Sequence, residues 1–245
     1  MIHEIVLAII QGITEFLPIS SSGHLALVSN IISEPNLFFM IAMHFASLLA
    51  ILIYLRKDIN RLLKFKRKSN WNWYKTIIIG IIPAGLVGYF FSGWIKIAIN
   101  NYALIGTGFL FTTVILFSSK LKKGKKEKIS LLDSFLIGIS QIFALFPGVS
   151  RSGTTTSTGI LRKINPEVAG KFSFLIFIPL MIGAILHQMT EFYINIEIVI
   201  SFIVCFFVSL ASLNLFFKTL KSGKFWLFGI WTALMAIISY LFYLF

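Results

Sequence analysis

Long apolar stretches alternate with short polar segments along the whole chain. Six stretches are each close to the roughly 20 residues that a helix needs to cross a bilayer. They cover residues 36–55, 72–92, 101–119, 167–187, 195–217 and 224–245. The pattern therefore predicts six transmembrane helices.

Four shorter apolar pieces occur as two pairs. The first pair covers about 4–17 and 24–32, and the second covers about 135–146 and 156–161. Each piece is too short to cross a bilayer comfortably, and within each pair a polar loop joins the two pieces. We therefore predict two re-entrant helical hairpins in addition to the six spans.

The composition places the chain among membrane proteins. Hydrophobic residues make up 57% of it, charged residues 13%, and the mean hydropathy is +0.88. Such a composition excludes a water-soluble surface, so the predicted fold class is an all-α polytopic membrane protein. Cys205 is the only cysteine, which excludes a disulfide within the chain.

The positive charges predict the orientation of the chain. Most of the 22 lysines and arginines lie in four short segments, at 56–68, 120–128, 162–171 and 218–224. Basic residues in short loops stay in the cytoplasm, and these segments alternate correctly with the six spans. Both termini are then expected outside. Topology and anionic lipid explain the net charge of +13 better than nucleic-acid binding does.

In this topology the two hairpins enter the membrane from opposite faces, and each is followed by three spans. We therefore expect one integral membrane domain, residues 1–245, built from two repeats of inverted topology. Repeat one covers about 1–119, repeat two covers about 131–245, and a basic cytoplasmic loop at about 120–130 joins them. Sites in inverted repeats lie near the midplane between the halves, so the polar loops should meet there.

The polar loops of the two hairpins share a motif that recurs 130 residues apart. The first loop reads QGITEFLPISSSGH at 11–24, and the second reads QIFALFPGVSRSGTT at 141–155. The two loops differ in their ionisable residues, since the first carries Glu15 and His24 and the second carries Arg151. Ionisable groups at membrane depth are costly, and together they indicate a functional site. A structural ion pair between the repeats is the alternative.

In the first loop, Gln11 and Glu15 are four residues apart and so share one face of a helix, which Pro18 then ends. Ser20 and Ser22 are suited to cap the returning helix, whose N–H groups and dipole attract an anion. The second loop supplies hydroxyls, glycine and a guanidinium at the next helix start, and a guanidinium can grip two phosphate oxygens. Both loops therefore have phosphate-binding chemistry.

The motifs resemble those of the bacterial undecaprenyl-diphosphate phosphatase family, also known for bacitracin resistance. The resemblance rests on Gln11-x-x-x-Glu15 followed by FLPISSSGH, and on PGVSRSGTT in the second loop. It extends to MHFASLLAILIYLRKDI at 43–59 and GIIPAGLVGYFF at 80–91, so nearly the whole chain is covered. One departure is Ala46-Ser47, where many members have Gly-Thr.

The resemblance implies a multi-pass hydrolase of the bacterial cytoplasmic (inner) membrane, with its active site facing the periplasmic or outer side. It would convert undecaprenyl diphosphate to undecaprenyl phosphate and inorganic phosphate, recycling the lipid carrier for cell-wall synthesis. The positions that match its catalytic motifs are Glu15, Ser21, His24 and Arg151. The residues expected to bind the substrate phosphates are Gln11, Ser22, Gly23, Ser150, Arg151, Ser152, Gly153 and Thr155.

The sequence leaves the roles within the site open. Ser21 is the candidate nucleophile, and either Glu15 or His24 could deprotonate it or activate water directly. Arg151 and the two helix N-termini would hold the diphosphate and stabilise the transferred phosphoryl group. A divalent cation, Mg²⁺ or Ca²⁺, could bridge the diphosphate and Glu15, with Gln11 as a second ligand. This shell is sparse, and the phosphates would have to complete it.

Two other function classes fit parts of the pattern. A polyprenyl-phosphate flippase or transporter could use the same inverted-repeat site, and would need Arg151 but neither a nucleophile nor a base. A membrane scaffold is disfavoured, because it has no use for polar groups at the midplane. A homodimer through the span faces is compatible with the sequence. His44, in the first span, suits helix packing or a supporting hydrogen bond as well as direct catalysis.

Overall fold

The computed structural model describes residues 1–32, 36–63, 68–91, 93, 98–120, 124–187 and 195–244. Within these residues the regular structure is helical, apart from one isolated β-bridge between Lys126 and Ile164. The expected outer connections near 93–100 and 188–195 lie mostly outside the described residues, as do 121–123 of the basic loop.

The helices follow one another through short connections. In chain order they are α1 (Ile2–Thr14), α2 (Ser21–Ile32), α3 (Leu37–Tyr54), α4 (Arg56–Leu63), α5 (Lys68–Phe90), α6 (Tyr102–Ser119), α7 (Leu131–Phe143), α8 (Arg151–Leu161), α9 (Pro166–His187), α10 (Ile196–Lys221), a 3₁₀ helix (Phe225–Leu227) and α11 (Phe228–Leu244).

Six helical stretches in the described residues are long and apolar enough to cross a membrane. They are Leu37–Tyr54, Trp71–Phe90, Tyr102–Ser119, Pro166–His187, Ile196–Lys221 and Phe225–Leu244. Each agrees within a few residues with a span that the apolar pattern predicts. The prediction of an all-α protein with six spans is confirmed. The helices α1 and α7 are apolar but have only 13 residues each, which is too short for a crossing.

Asparagine side chains begin three of the spans. Asn36 accepts a hydrogen bond from the Phe39 backbone N–H at 2.7 Å, and Asn195 accepts one from the Ile198 N–H at 2.8 Å. Asn101 caps α6 in the same way. A capping side chain satisfies an N–H that has no partner within the helix, so these polar residues set where the spans start.

The helices pack in a way that brings the two polar loops to the middle of the molecule. The helix α1 lies against α10, α7 lies against α5, and α6 lies against α11. Between them is a buried apolar cluster rich in phenylalanine. Phe16 of the first loop is fully buried and meets Phe174 of α9 edge-on, with ring centroids 5.6 Å apart. Core packing therefore anchors the first loop against the second half of the chain.

A buried carboxylate secures the segment that joins the two halves. The Asp133 side chain is fully buried in the first turn of α7 and accepts hydrogen bonds from Lys126, Ser130 and Arg162. Burial acts to raise the pKa of Asp133, but these hydrogen bonds outweigh it and hold the pKa well below its usual range. The network ties the connecting segment to the C-terminal end of α8.

Candidate active site

The two polar loops are in direct contact. Ser152 Oγ donates a hydrogen bond to the Leu17 carbonyl at 3.2 Å. A Cβ added at Gly153 would lie 3.1 Å from Pro18 Cβ, and one added at Gly23 would lie 3.0 Å from Gly148 Cα. Larger side chains at either glycine would force the loops apart. The meeting of the loops, which the sequence predicts, is therefore found.

Glu15 lies at the centre of the contact and is buried. It follows the last residue of α1, so its side chain and that of Gln11 lie on the same helix face. Gln11 Nε2 donates to Glu15 Oε2 at 2.9 Å, and Ser21 Oγ donates to the same oxygen at 2.8 Å. Arg151 Nη2 donates to the other oxygen, Oε1, at 3.2 Å. One carboxylate thus connects an amide, a hydroxyl and a guanidinium.

Arg151, the first residue of α8, is held by aromatic packing as well as by Glu15. Its guanidinium carbon lies 3.3 Å from the centroid of the Phe177 ring and 5.9 Å from that of Phe174. A guanidinium over an aromatic face is stabilised by the ring quadrupole. Nη1 is buried without a hydrogen-bond partner in the described residues. The side chain is fixed in position and keeps donors for an anion.

His24 has partners for both ring nitrogens. Nδ1 donates to the Ser20 carbonyl at 2.8 Å, and the indole N–H of Trp231 donates to Nε2 at 2.9 Å. Because a carbonyl only accepts and an indole N–H only donates, the proton of His24 is on Nδ1. His24 is therefore engaged with the loop backbone and with α11, and neither nitrogen is free to serve Ser21.

Serine residues cap the helices that follow both loops. Ser20 Oγ accepts from the Gly23 N–H at 3.3 Å and lies 3.4 Å from Ser22 Oγ. Ser150 Oγ accepts from the Gly153 N–H at 3.2 Å in the second loop. Ser20 adopts a left-handed conformation with φ of 68°, which is uncommon outside glycine. The capping role predicted for Ser20 agrees with this geometry, whereas the contact found for the Ser22 hydroxyl is to Ser20.

The remaining phosphate-binding candidates make internal contacts. Thr155 Oγ1 donates to the Arg151 carbonyl at 2.7 Å and lies 2.5 Å from Ser173 Oγ. The backbone N–H of Ser150 donates to Thr112 Oγ1 at 2.9 Å. These contacts hold the start of α8 in place.

A pocket of about 590 Å³ opens beside the first loop. Ser21 and Ser22 line it from α2, His44 lines it from α3, and Asn100 and Tyr102 line it from the start of α6. Ser21, whose hydroxyl contacts Glu15, therefore lines a pocket large enough for a ligand.

The chain is similar to known proteins over almost its full length. The family model described as bacitracin resistance protein BacA matches residues 4–238. The chain belongs to the BacA family. It is 39% identical over 244 residues to a Thermosipho africanus protein named undecaprenyl-diphosphatase, covering 97% of this chain and 98% of that protein.

Two further relatives carry the same name. A Methanococcus vannielii protein is 38% identical over 234 residues, covering 93% of this chain and 94% of that protein. A Bacteroides fragilis protein is 36% identical over 255 residues, covering 97% and 96%. The match therefore includes both polar loops and all six spans.

Several residues that support this BacA-family site were missed by the sequence analysis. Trp231 contacts His24, Phe177 lies against Arg151, and Ser173 contacts Thr155. Thr112 also donates to the Gly148 carbonyl at 3.1 Å. Each of these residues lies in an apolar span. In the sequence, only a hydrogen-bonding group or an aromatic ring distinguishes it from its neighbours. Such groups need a buried partner, but the sequence does not indicate which one.

The residues present fit a protein-held divalent cation poorly. No group of three His, Cys, Asp or Glu side chains that could hold a metal is found in the described parts of the chain. Both oxygens of Glu15 already accept hydrogen bonds, and Gln11 Oε1 is buried without a hydrogen-bond partner in the described residues. Mg²⁺ and Ca²⁺ require six or more oxygen ligands, so this pair alone is an incomplete shell.

Proposed function

We propose that this chain hydrolyses undecaprenyl diphosphate to undecaprenyl phosphate and inorganic phosphate. The reaction would recycle the lipid carrier for cell-wall synthesis and confer bacitracin resistance. The observation that carries the proposal is the shared carboxylate, since Glu15 accepts from Ser21 Oγ at 2.8 Å and from Arg151 Nη2 at 3.2 Å. A base, a hydroxyl nucleophile and a phosphate-binding cation are thereby brought together. The names of the relatives support the same activity.

Ser21 is the proposed nucleophile and Glu15 its base. The Ser21 hydroxyl already donates to Glu15 Oε2, which is the geometry that general-base activation requires. Attack on the terminal phosphorus would break its bond to the bridging oxygen and release the lipid monophosphate. Water would then hydrolyse the phosphoserine. Direct attack by water, activated by Glu15, is the alternative.

Arg151 is the proposed electrostatic partner of the phosphates. Phosphoryl transfer depends mainly on positioning and on stabilising charge at the equatorial oxygens. Arg151 has one nitrogen on Glu15 and another, Nη1, without a protein partner. The N-termini of α2 and α8 add unsatisfied N–H groups to this positive potential. The proposed phosphate site also includes residues that contact the phosphates directly or hold the loops in place. They are Gln11, Ser22, Gly23, Ser150, Ser152, Gly153 and Thr155. His24 also belongs to the proposed site, where its Nδ1 donates to the Ser20 carbonyl and so stabilises the first loop.

Any divalent cation at this site would bind together with the substrate and not to the protein alone. The phosphate oxygens would supply most of its ligands, because the protein oxygens at Glu15 and Gln11 make an incomplete shell. Mg²⁺ or Ca²⁺ bound in this way would neutralise phosphate charge. No step assigned to Glu15, Ser21 or Arg151 depends on it.

We also propose that the chain is one membrane domain of two inverted-topology repeats, with α1–α2 and α7–α8 as re-entrant hairpins. The support is an offset of about 130 residues that relates helices in the two halves. Contacts are related in the same way, since Gly23 meets Gly148 and Gly153 meets Pro18. We also propose that both termini and the site lie on the outer side of the cytoplasmic membrane, which the basic segments support because such loops stay in the cytoplasm. A homodimer through the span faces remains part of this proposal.

Cysteine labelling tests the proposed orientation. Asn100→Cys lies at the pocket and Lys125→Cys in the connecting segment, each in a Cys205→Ser background. We expect a membrane-impermeant reagent to label position 100 in intact cells, and to label position 125 only after the membrane is opened. Labelling of position 125 from outside would reverse the orientation.

Phosphate release from undecaprenyl diphosphate by purified protein in detergent tests the activity. Wild type, Arg151→Ala and Ser21→Ala are compared with and without EDTA, with Lys224→Ala as a control at an exposed position. We expect release by wild type and the control, and its loss in the two site variants. EDTA decides the metal requirement. No release by folded wild type, even with added Mg²⁺ or Ca²⁺, would reject the hydrolase.

The lipid-transport alternative gains no support, because the three relatives described above are all named diphosphatases. A transporter would also have no need for the contact between Ser21 and Glu15.

A further inference from the structure

A second histidine lies at the pocket and is not included in the roles proposed above. His44 is half-buried in the middle of α3. Its Nδ1 donates to the Met40 carbonyl at 2.8 Å, one turn earlier in the same helix. This hydrogen bond fixes the ring and holds the proton on Nδ1. Nε2 has no hydrogen-bond partner in the described residues and is available to a ligand.

The position of His44 connects it to the reacting groups. It lines the same pocket of about 590 Å³ as Ser21 and Ser22. It is also close enough to Glu15 to interact with it electrostatically. Ser21 and His44 therefore face the same cavity.

The two histidines of the site differ in what their ring nitrogens can do. Both nitrogens of His24 are engaged, one by the Ser20 carbonyl and one by Trp231. To contact a phosphate, His24 would have to give up one of these buried hydrogen bonds. His44 has one nitrogen anchored and one available, the arrangement by which histidines in active sites are oriented.

We propose that His44 is a catalytic residue of this site: as an imidazolium, with protons on both ring nitrogens, it donates from Nε2 to the terminal phosphate of the bound diphosphate. His24 is then a positioning residue that holds the first loop through Ser20 and Trp231. The proposal rests on the diphosphatase function proposed above. It explains why an ionisable side chain is placed in the first membrane span, where such groups are costly.

Two substitutions at position 44 test this contact. His44→Ala removes Nε2, whereas His44→Gln places an amide nitrogen near the same position. We expect kcat/KM to fall at least about 100-fold in His44→Ala, within the range for groups of this kind. We expect His44→Gln to retain more activity, and added imidazole to restore part of the activity of His44→Ala. His187→Ala is the matched control, since His187 lies at the end of α9 beside Tyr89 and should leave turnover unchanged.

The outcomes separate the two proposals. An inactive wild-type protein rejects the diphosphatase itself. An active wild type with near-normal His44→Ala turnover rejects the role of His44 alone. The contact is also rejected if His44→Ala and His44→Gln lose the same amount of activity and imidazole restores none of it, provided that both proteins melt at the wild-type temperature. If His44→Ala does not fold, His44→Leu, which fills the space without a polar atom, decides the question, and wild-type kcat and KM in that variant would reject the role.

Discussion

Arg151 Nη2 lies 3.2 Å from Glu15 Oε1, and this ion pair joins two loops separated by 136 residues in the chain. The pair is nearly buried, with 14% of the arginine side chain and 6% of the glutamate side chain exposed. It is the point at which the two halves of the chain share one site. Binding of a diphosphate would place a second anion beside this arginine.

Replacing Arg151 with lysine should impair turnover although the charge is retained. Lysine loses the fork of donors and the packing of a planar group on Phe177. We expect kcat/KM for undecaprenyl diphosphate to fall at least about 100-fold, the effect typical of a lost transition-state donor. Arg162→Lys is the matched control, because Arg162 contacts Asp133 and not the site. Near-normal turnover of Arg151→Lys would exclude the phosphate clamp.

Glu15→Gln should retain the shape of the side chain and lose its basicity. The variant can no longer accept the Ser21 proton, so we expect phosphate release to fall by at least about 100-fold. Glu167→Gln serves as the control, since Glu167 is a partly exposed ion-pair partner of Lys171 and Lys221. Full activity of Glu15→Gln would show that it is neither a base nor a ligand that the reaction requires.

Ser21→Ala and Ser22→Ala separate the nucleophile from its neighbour. Ser21 donates to Glu15, whereas the hydroxyl contact found for Ser22 is to Ser20 at 3.4 Å. We expect Ser21→Ala to lose at least about 100-fold in kcat, and Ser22→Ala to change it less than tenfold. Acid-quenched wild-type protein incubated with labelled substrate should carry phosphate on Ser21. Substantial kcat in Ser21→Ala would favour direct attack by water.

Trp231→Phe should loosen His24 without altering the groups that react. The substitution removes the indole N–H that donates to His24 Nε2 at 2.9 Å. Loss of this partly buried hydrogen bond is expected to lower the free energy of unfolding by about 1 kcal/mol, measurable as a lower melting temperature, with a smaller effect on kcat than Glu15→Gln. Trp226→Phe, at the ring that contacts Lys120, is the control. A kcat loss equal to that of Glu15→Gln would indicate that His24 takes part directly.

Asp133→Asn should lower stability and leave the chemistry intact. The buried carboxylate accepts from Lys126, Ser130 and Arg162, and removing its charge is expected to cost about 1–3 kcal/mol. Because the pKa of Asp133 is depressed in the folded protein, this stabilisation is present above the ordinary pKa of about 3.9. It is lost only as pH falls toward the lower folded value.

Thermal melting over a range of pH checks this expectation for Asp133. The difference in melting temperature between wild type and Asp133→Asn should be constant from about pH 5 upward, and should narrow in more acidic buffers. Asp58→Asn is the control, because Asp58 forms a partly exposed pair with Lys171 at 3.5 Å. A difference that widens on acidification would contradict the assigned charge state.

Much of the membrane architecture follows from the sequence alone. The apolar stretches predicted the six spans within a few residues of their observed bounds, because a bilayer imposes one length on every crossing helix. The repeated motif identified both loops, since polar residues at membrane depth stand out from their surroundings. The spacing of Gln11 and Glu15 also predicted their shared helix face, and the two side chains are hydrogen bonded at 2.9 Å.

The partners of those loop residues were decided by tertiary structure. Position 231 reads as one more apolar residue in a span, yet its indole N–H donates to His24 Nε2. For His44 the sequence left packing, a supporting hydrogen bond and direct catalysis open, and only the folded structure brings it to one pocket with Ser21. The sequence by itself determined which helices cross the membrane and where the polar loops occur, because length and hydropathy are local properties. Which hydroxyl, ring or guanidinium faces Glu15 depends on how distant helices pack, and that is a property of the folded chain.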